Sequence, residues 1–196
     1  GFTSVRTIPV PMGDEKRLLC AERNDNNNSL ALLSLRTIDK NSNIDLVVKA
    51  FSILVKKYGL TDAKLTIVND GPEMDNIKKV IDEERISQNV DIRGFVSRDE
   101  LIGMLLSSSI NISIPTSDST SVSLLEGMAC GIMNIVSDIP ANTEWIQDGI
   151  NGVIIRENSA EGIAKVIHDT YSNNEFRKNS IKVNKEIITQ RALWDD

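Results

Sequence analysis

What this sequence has little of narrows its function first. Histidine occurs once, at His168, and cysteine twice, at Cys20 and Cys130. One histidine builds no metal site by itself, and His168 falls on a predicted helix where a solvated surface position is expected. The cysteines form no Cys-x-x-Cys, so a reduced, cytosolic setting is the simpler reading. There is no Lys/Arg run and no basic face: 22 basic against 28 acidic side chains leave a net charge of -6. That balance argues against a nucleic-acid partner. No apolar run approaches the ~20 residues that a membrane span needs. Asn27 and Asn111 head glycosylation sequons, but no signal peptide accompanies them. No Gly-x-Gly-x-x-Gly follows the first predicted strand, which disfavours a dinucleotide-dependent dehydrogenase. No acidic cluster stands at that strand's end either, which disfavours a receiver-like signalling domain.

What is present fits a globular domain. The chain has 196 residues, of which 40% are hydrophobic and 26% charged, ordinary values for a soluble fold. It opens on Gly1-Phe2-Thr3 without Met and closes at Trp194-Asp195-Asp196 inside a helical pattern. The expectation is one domain of a longer protein. Residues 1–29 read as extended and irregular, with Pro9 and Pro11 disfavouring helix and a polar tract from Asn24 to Asn28. Short apolar runs then alternate with amphipathic stretches. Strands are predicted at 30–35, 64–68, 90–93, 110–114, 133–136 and 152–155. Helices are predicted at 43–58, 72–85, 121–130, 142–147, 159–171 and 175–189. Ser97 and Glu100 form a capping box that opens another helix. Residues 30–172 thus form a Rossmann-like α/β domain, a parallel sheet of about six strands with helices on both faces. Residues 173–196 form a closing helix.

In such sheets ligands bind beyond the carboxyl ends of the strands. That rule selects the loops 36–42, 69–72, 94–97, 115–121 and 137–142. They carry Arg36, Lys40, the Asn69-Asp70-Gly71-Pro72 turn, Gly94-Phe95 and the stretch from Asp118 to Ser121. Ser119-Thr120-Ser121 leads into a helix, and a helix start offers free N–H donors and a partial positive charge to phosphate. Arg36 adds a cation matched to phosphate. Glu126, in the helix's second turn, suits the paired hydroxyls of a ribose. Asp118, before the turn, suits another sugar. Read plainly, however, a Ser-rich helix start is an N-cap, and acidic residues near it are favoured by the dipole alone.

The residues from about Val5 to Ile155 resemble the C-terminal, donor-binding domain of retaining GT-B glycosyltransferases, the group 1 family. The likeness rests on several blocks in order. Ile8-Pro9 with Met12-Gly13-Asp14 resembles the interdomain linker. Ser34-Leu35-Arg36, Asn43-Ile44-Asp45 and Ala50-Phe51 resemble the phosphate loop and its helix. Ile67 to Pro72 resembles the glycine-proline turn, and Gly94-Phe95-Val96 the loop whose backbone holds the nucleobase. Ser117 to Gly131 is similar to the Glu-x7-Glu motif, and Ser137-Asp138-Ile139-Pro140 with Asp148-Gly149-Ile150-Asn151-Gly152 completes the series.

The resemblance implies one half of a GT-B fold that takes a nucleoside-diphosphate sugar without a metal or other cofactor. Glu126 would hold the ribose and Asp118 the transferred sugar. Backbone N–H groups of Ser119, Thr120, Ser121 and Val122 would bind phosphate, with Gly71, Gly94, Phe95 and Val96 completing the nucleotide site. Arg36 and Lys40 would stabilise charge on the leaving diphosphate. The acceptor would be a polysaccharide or glycolipid, and the acceptor-binding N-terminal domain would be the partner. Turnover by this chain alone is not expected. The setting would be cytoplasmic, with any membrane contact peripheral and made by the parent protein. This sequence departs from the pattern at Asp118 in place of Glu, at Asn69 in place of glycine and at Met133 in place of proline. Lys40 also follows Arg36 one position early, which puts Ser42 in the lysine's place. A non-catalytic Rossmann-like interaction domain that has lost donor binding is the alternative. A sugar-nucleotide epimerase would need further acid/base residues that the sequence does not display.

Overall fold

The structure, a computed structural model, describes residues 15–20, 29–119 and 121–192. The linker block at 8–14 and the polar tract at 24–28 therefore lie outside the described residues. So do Thr120 and the chain end from Leu193 to Asp196.

Six parallel strands form one sheet: β1 (Ala31–Ser34), β2 (Lys64–Val68), β3 (Val90–Gly94), β4 (Ile110–Ser113), β5 (Met133–Ser137) and β6 (Val153–Ile155). Their order is β3-β2-β1-β4-β5-β6. Leu32 of β1 pairs with Leu65 on one side and with Ile110 on the other. The chain turns back on itself between β1 and β4, and that reversal opens a crevice at the carboxyl ends of these two strands. The expected fold class is therefore the observed one.

Alternation along the strands splits the core in two. Leu32, Leu65, Ile67, Ile110, Ile112, Met133 and Ile135 face α2 (Ile44–Lys56), α3 (Met74–Glu83) and α7 (Ala160–Ser172). Leu33, Val68, Val136 and Ile154 face the other layer, built from α1 (Glu15–Cys20), α4 (Arg98–Ser107), α5 (Val122–Cys130) and α8 (Asn174–Arg191). A sheet covered on both faces needs apolar residues at nearly every strand position, which is what makes the short continuous runs legible. In α2 the helically spaced apolar residues Ile44, Val47, Val48, Phe51 and Leu54 are buried, and Val55 in the same stripe is half-buried. Among the described residues no helix is long and apolar enough to cross a membrane.

Four local expectations are corrected. Residues 1–29 are not wholly irregular: Glu15–Cys20 is helical, and its Leu18 is fully buried in the α5 layer. Six residues show no periodicity, so packing decides this helix. The third helix starts at Met74 instead of Pro72, because Glu73 N–H donates to Ile38 O (3.0 Å) and holds the preceding residues in a turn. The short helix α6 is Pro140–Thr143 and not 142–147. Pro140 suits its first turn. Asn151 pre-empts the next one: its side chain accepts from Gln147 N–H (2.7 Å) and donates to Trp145 O (2.9 Å). His168 is not freely solvated, since its ring stacks on Tyr58 at 4.3 Å between centroids.

Candidate functional site

Of the residues singled out in the sequence, the loops after β1 and β4 bring Arg36 and Asp118 together. β1 delivers Arg36 two residues past its end, and β4 delivers Asp118 in the middle of the loop that leads to α5. The two meet: Arg36 Nη1 donates to Asp118 Oδ2 at 2.6 Å, with side chains 17% and 15% exposed. Asp118 Oδ1 accepts from the Ser119 N–H at 2.8 Å. Both Asp118 oxygens are thus engaged, and one of the backbone donors expected to be free for phosphate is held by Asp118. The Arg36 Nε is buried without a hydrogen-bond partner.

The two loops are stitched together by asparagines. Asn41 lies in a 3-10 turn, Lys40–Ser42, capped by Asp39, which accepts from Ser42 N–H at 2.9 Å. The Asn41 amide donates to Ser117 O (3.0 Å) and accepts from Ser117 N–H (3.0 Å) and Thr116 Oγ1 (2.6 Å). Asn43 takes up a left-handed backbone, φ 53°, and donates to Ile114 O at 2.8 Å. Asparagine tolerates that conformation better than most side chains. The result is a fixed separation between the Arg36 and Asp118 loops.

The helix start at α5 has an unusual cap. Ser121 is 1% exposed, yet its hydroxyl makes no capping bond and has no hydrogen-bond partner. Leu124 and Leu125 both return their N–H groups to Ser121 O. The plain reading of this serine as an ordinary side-chain N-cap is therefore incorrect. Val122 stands exposed at the head of the helix, as does Ser119 before it. Glu126 is 6% exposed in the next turn, and its carboxylate accepts from the Arg98 guanidinium. Arg98 is the first residue of α4 and was missed in the sequence. The capping box around it is confirmed: Ser97 N–H donates to Glu100 Oε2 at 2.8 Å, and Glu100 N–H to Ser97 Oγ at 3.3 Å. No local signal marks it, because the burial of Glu126 and its need for a cation arise only when α4 and α5 pack together.

The neighbouring loops have clear backbone reasons. A Cβ on Gly71 would lie 2.2 Å from Ile38 O, so only glycine allows the turn to approach the β1 loop. Gly94 has φ 62° and Asn69 φ 112°, and Asn69 N–H donates to Gly94 O at 2.9 Å. Asn69 thus occupies glycine-like backbone at the position where the family pattern has glycine. Phe95 is 81% exposed beside it, and Val96 is half-buried. Lys40 goes elsewhere. It is exposed and lines a groove of about 180 Å³ with Asp39, Ile44, Asp45, Glu73, Asn76 and Ile77, apart from the Arg36–Asp118 pair. Ser42, in the register position of the family lysine, is 1% exposed. Among the described residues no group of His, Cys, Asp and Glu is placed to hold a metal ion.

The model of the group 1 glycosyl transferases matches residues 17–187. The chain belongs to this family. It is 28% identical over 148 residues to N-acetyl-alpha-D-glucosaminyl L-malate synthase of Bacillus anthracis, covering 76% of this chain and 38% of that protein. Its fold matches a TarM variant of S. aureus solved in complex with UDP, with a TM-score of 0.80 at 19% identity over 89% of this chain and 35% of that one. It also matches the C-terminal domain of a group 1 family protein (LpcC) from Francisella tularensis, with a TM-score of 0.79 at 15% identity. That match spans 95% of this chain and the whole of the other. The chain therefore spans well under half the length of the longer relatives, and its sheet is that of GT-B glycosyltransferase domains.

Proposed function

We propose that this chain is the donor-binding domain of a retaining glycosyltransferase. It would bind a nucleoside-diphosphate sugar and serve transfer of a hexose-type sugar to a polysaccharide or glycolipid, without a metal. The observation that carries the reading is the Arg36–Asp118 pair between the loops after β1 and β4, with Glu126 buried in the helix that follows the second of these loops. The family membership and the UDP named in the TarM complex support it. In this reading the backbone N–H groups from Ser119 to Val122, at the head of α5, receive the diphosphate, and the unpartnered Nε of Arg36 and Oγ of Ser121 suit additional phosphate oxygens. Arg36 then steadies the charge that grows on the leaving group. Asp118 exchanges its bonds to Arg36 and Ser119 for hydroxyls of the transferred sugar. Glu126 accepts from the ribose diol. Gly94, Phe95 and Val96 border the nucleobase, and Gly71 sets the turn beside it. Lys40 is the weakest member, since it lines a separate groove. The acceptor is bound by a second, N-terminal domain of the same cytoplasmic protein, so the chain alone binds donor without turning it over.

The test is a thermal-shift screen of the chain with UDP, GDP, ADP and their sugars. Ligand at ~100 times its dissociation constant should add roughly 2.7 kcal/mol of stability, a shift of several degrees. Glu126→Gln should abolish it. One observation favours the second reading, a domain that has lost donor binding: both carboxylates are already occupied by arginines. Absence of any shift at millimolar ligand, in this chain and in the full-length parent, would select that reading.

A further inference from the structure

Arg98 stands where helix electrostatics oppose it. The start of α4 carries the positive end of the helix dipole, which suits Asp99 and Glu100 and not a cation. Asp99 pairs with Arg17 at 2.8 Å, and Glu100 completes the cap on Ser97. The Arg98 side chain instead reaches across to Glu126 on α5. The Glu126 side chain is 8% exposed, against 31% for Arg98. A carboxylate at that depth is tolerable only if it is hydrogen-bonded and opposed by a cation. Both ends of the pair are anchored: Ile102 and Leu105 of α4 share one core cluster with Leu124 and Leu125 of α5. Arg98 also follows directly on the Gly94–Ser97 loop. The pair therefore joins the loop after β3 to the helix after β4.

We infer that Arg98 is a positioning residue that makes Glu126 a selective reader of ribose. The inference rests on the donor-binding reading above. By donating to Glu126 Oε1, Arg98 sets the plane of the carboxylate and leaves its remaining lone pairs to a vicinal diol. A nucleotide without those hydroxyls leaves the carboxylate lone pairs that Arg98 does not fill buried without a donor, and the site rejects it for that reason. Arg98 contacts no substrate in this scheme. Its effect appears as discrimination between sugars and not as general nucleotide affinity.

Calorimetric titration of the purified chain tests this. UDP, GDP and ADP are titrated first, then the 2',3'-dideoxy form of whichever binds most tightly. The unaltered chain should prefer the ribo form by about tenfold or more. Arg98→Gln should bring the ratio close to one while the dideoxy affinity stays the same. Arg98→Lys, which keeps the charge but not the planar fork, should retain part of the preference. Arg98→Gln and Glu126→Gln should be non-additive in the ribo affinity. An unchanged ratio in Arg98→Gln overturns the inference, as does an equal loss of both affinities. Tighter ribo binding in Arg98→Gln also overturns it, since Arg98 would then be competing with the ribose. If no nucleoside diphosphate binds the unaltered chain or its full-length parent, the donor-binding reading falls and this inference falls with it. The two failures are thus told apart by the first titration.

Discussion

The two faces of the sheet are built to different rules. The face under α2, α3 and α7 is mostly an apolar mass of Leu, Ile, Val, Met, Ala and Phe51, with Ser52 and Thr170 as buried polar side chains on its helices. The face under α1, α4, α5 and α8 has its own apolar cluster, but polar groups are set into it. Asn111 and Asn134 are fully buried on adjacent strands and share one bond of 2.9 Å. Asn151 and Asn184 are also buried but exchange bonds reciprocally, 2.9 Å and 2.8 Å, between the turn before β6 and α8. The second pair is well satisfied. The first leaves Asn111 Oδ1 without a partner. The comparison teaches where the fold is held and where it is shaped. The apolar face supplies the burial energy, whereas the polar face seats the helix that carries Ser121 and Glu126.

Truncation on the apolar face should do the most damage. Phe51→Ala removes a fully buried ring and should cost about 3–5 kcal/mol in urea unfolding. A loss below about 1 kcal/mol would mean that this face is not the main store of stability. On the polar face, Asn134→Val strips Asn111 Nδ2 of its acceptor and should cost about 1–3 kcal/mol. Adding Asn111→Val should recover much of that loss, because apolar partners leave nothing unsatisfied. An additive double mutant would show that the two asparagines are not a unit.

Asn184→Ala removes both links to Asn151 and should cost about 1–3 kcal/mol, read as a lower unfolding midpoint. It should leave nucleotide affinity unchanged, which separates an anchor from a seat. The smallest effect is one of pH. Burial of Asp148 opposes its ionisation, but the Ile154 N–H and the Arg156 guanidinium (2.6 Å) outweigh it and hold the carboxyl below the ordinary range. A depressed folded-state value stabilises the fold above the unfolded value, near pH 4. That contribution is lost as pH falls through the folded one. Arg156→Gln should therefore narrow the gap in unfolding midpoint between pH 6 and pH 3, as followed by circular dichroism.

Much of this could be read from the chain. The run at 64–68 gave β2 without error, and the Ser97–Glu100 box opened α4 as expected, because both depend on neighbours in sequence. The site loops were legible for a topological reason: in a parallel sheet every loop after a strand comes to the same edge. Arg98 was not legible. Its partner is 28 positions away, and nothing local distinguishes it from a solvated arginine. The Arg36–Asp118 bond spans 82 positions, so the sequence could offer both residues but not their meeting. α1 was lost because six residues are too few to display a period.

The sequence by itself determined the alternation of strands and helices, the two-faced core and the edge at which functional side chains collect. These follow from apolar spacing and capping, which act over a few residues. Only the tertiary structure decided which cation faces which carboxylate. It alone left Lys40 in a separate groove and put Asn69 on glycine-like backbone. Those outcomes depend on loops from distant strands closing on one another, and on burial, which makes an unpaired charge too costly to keep.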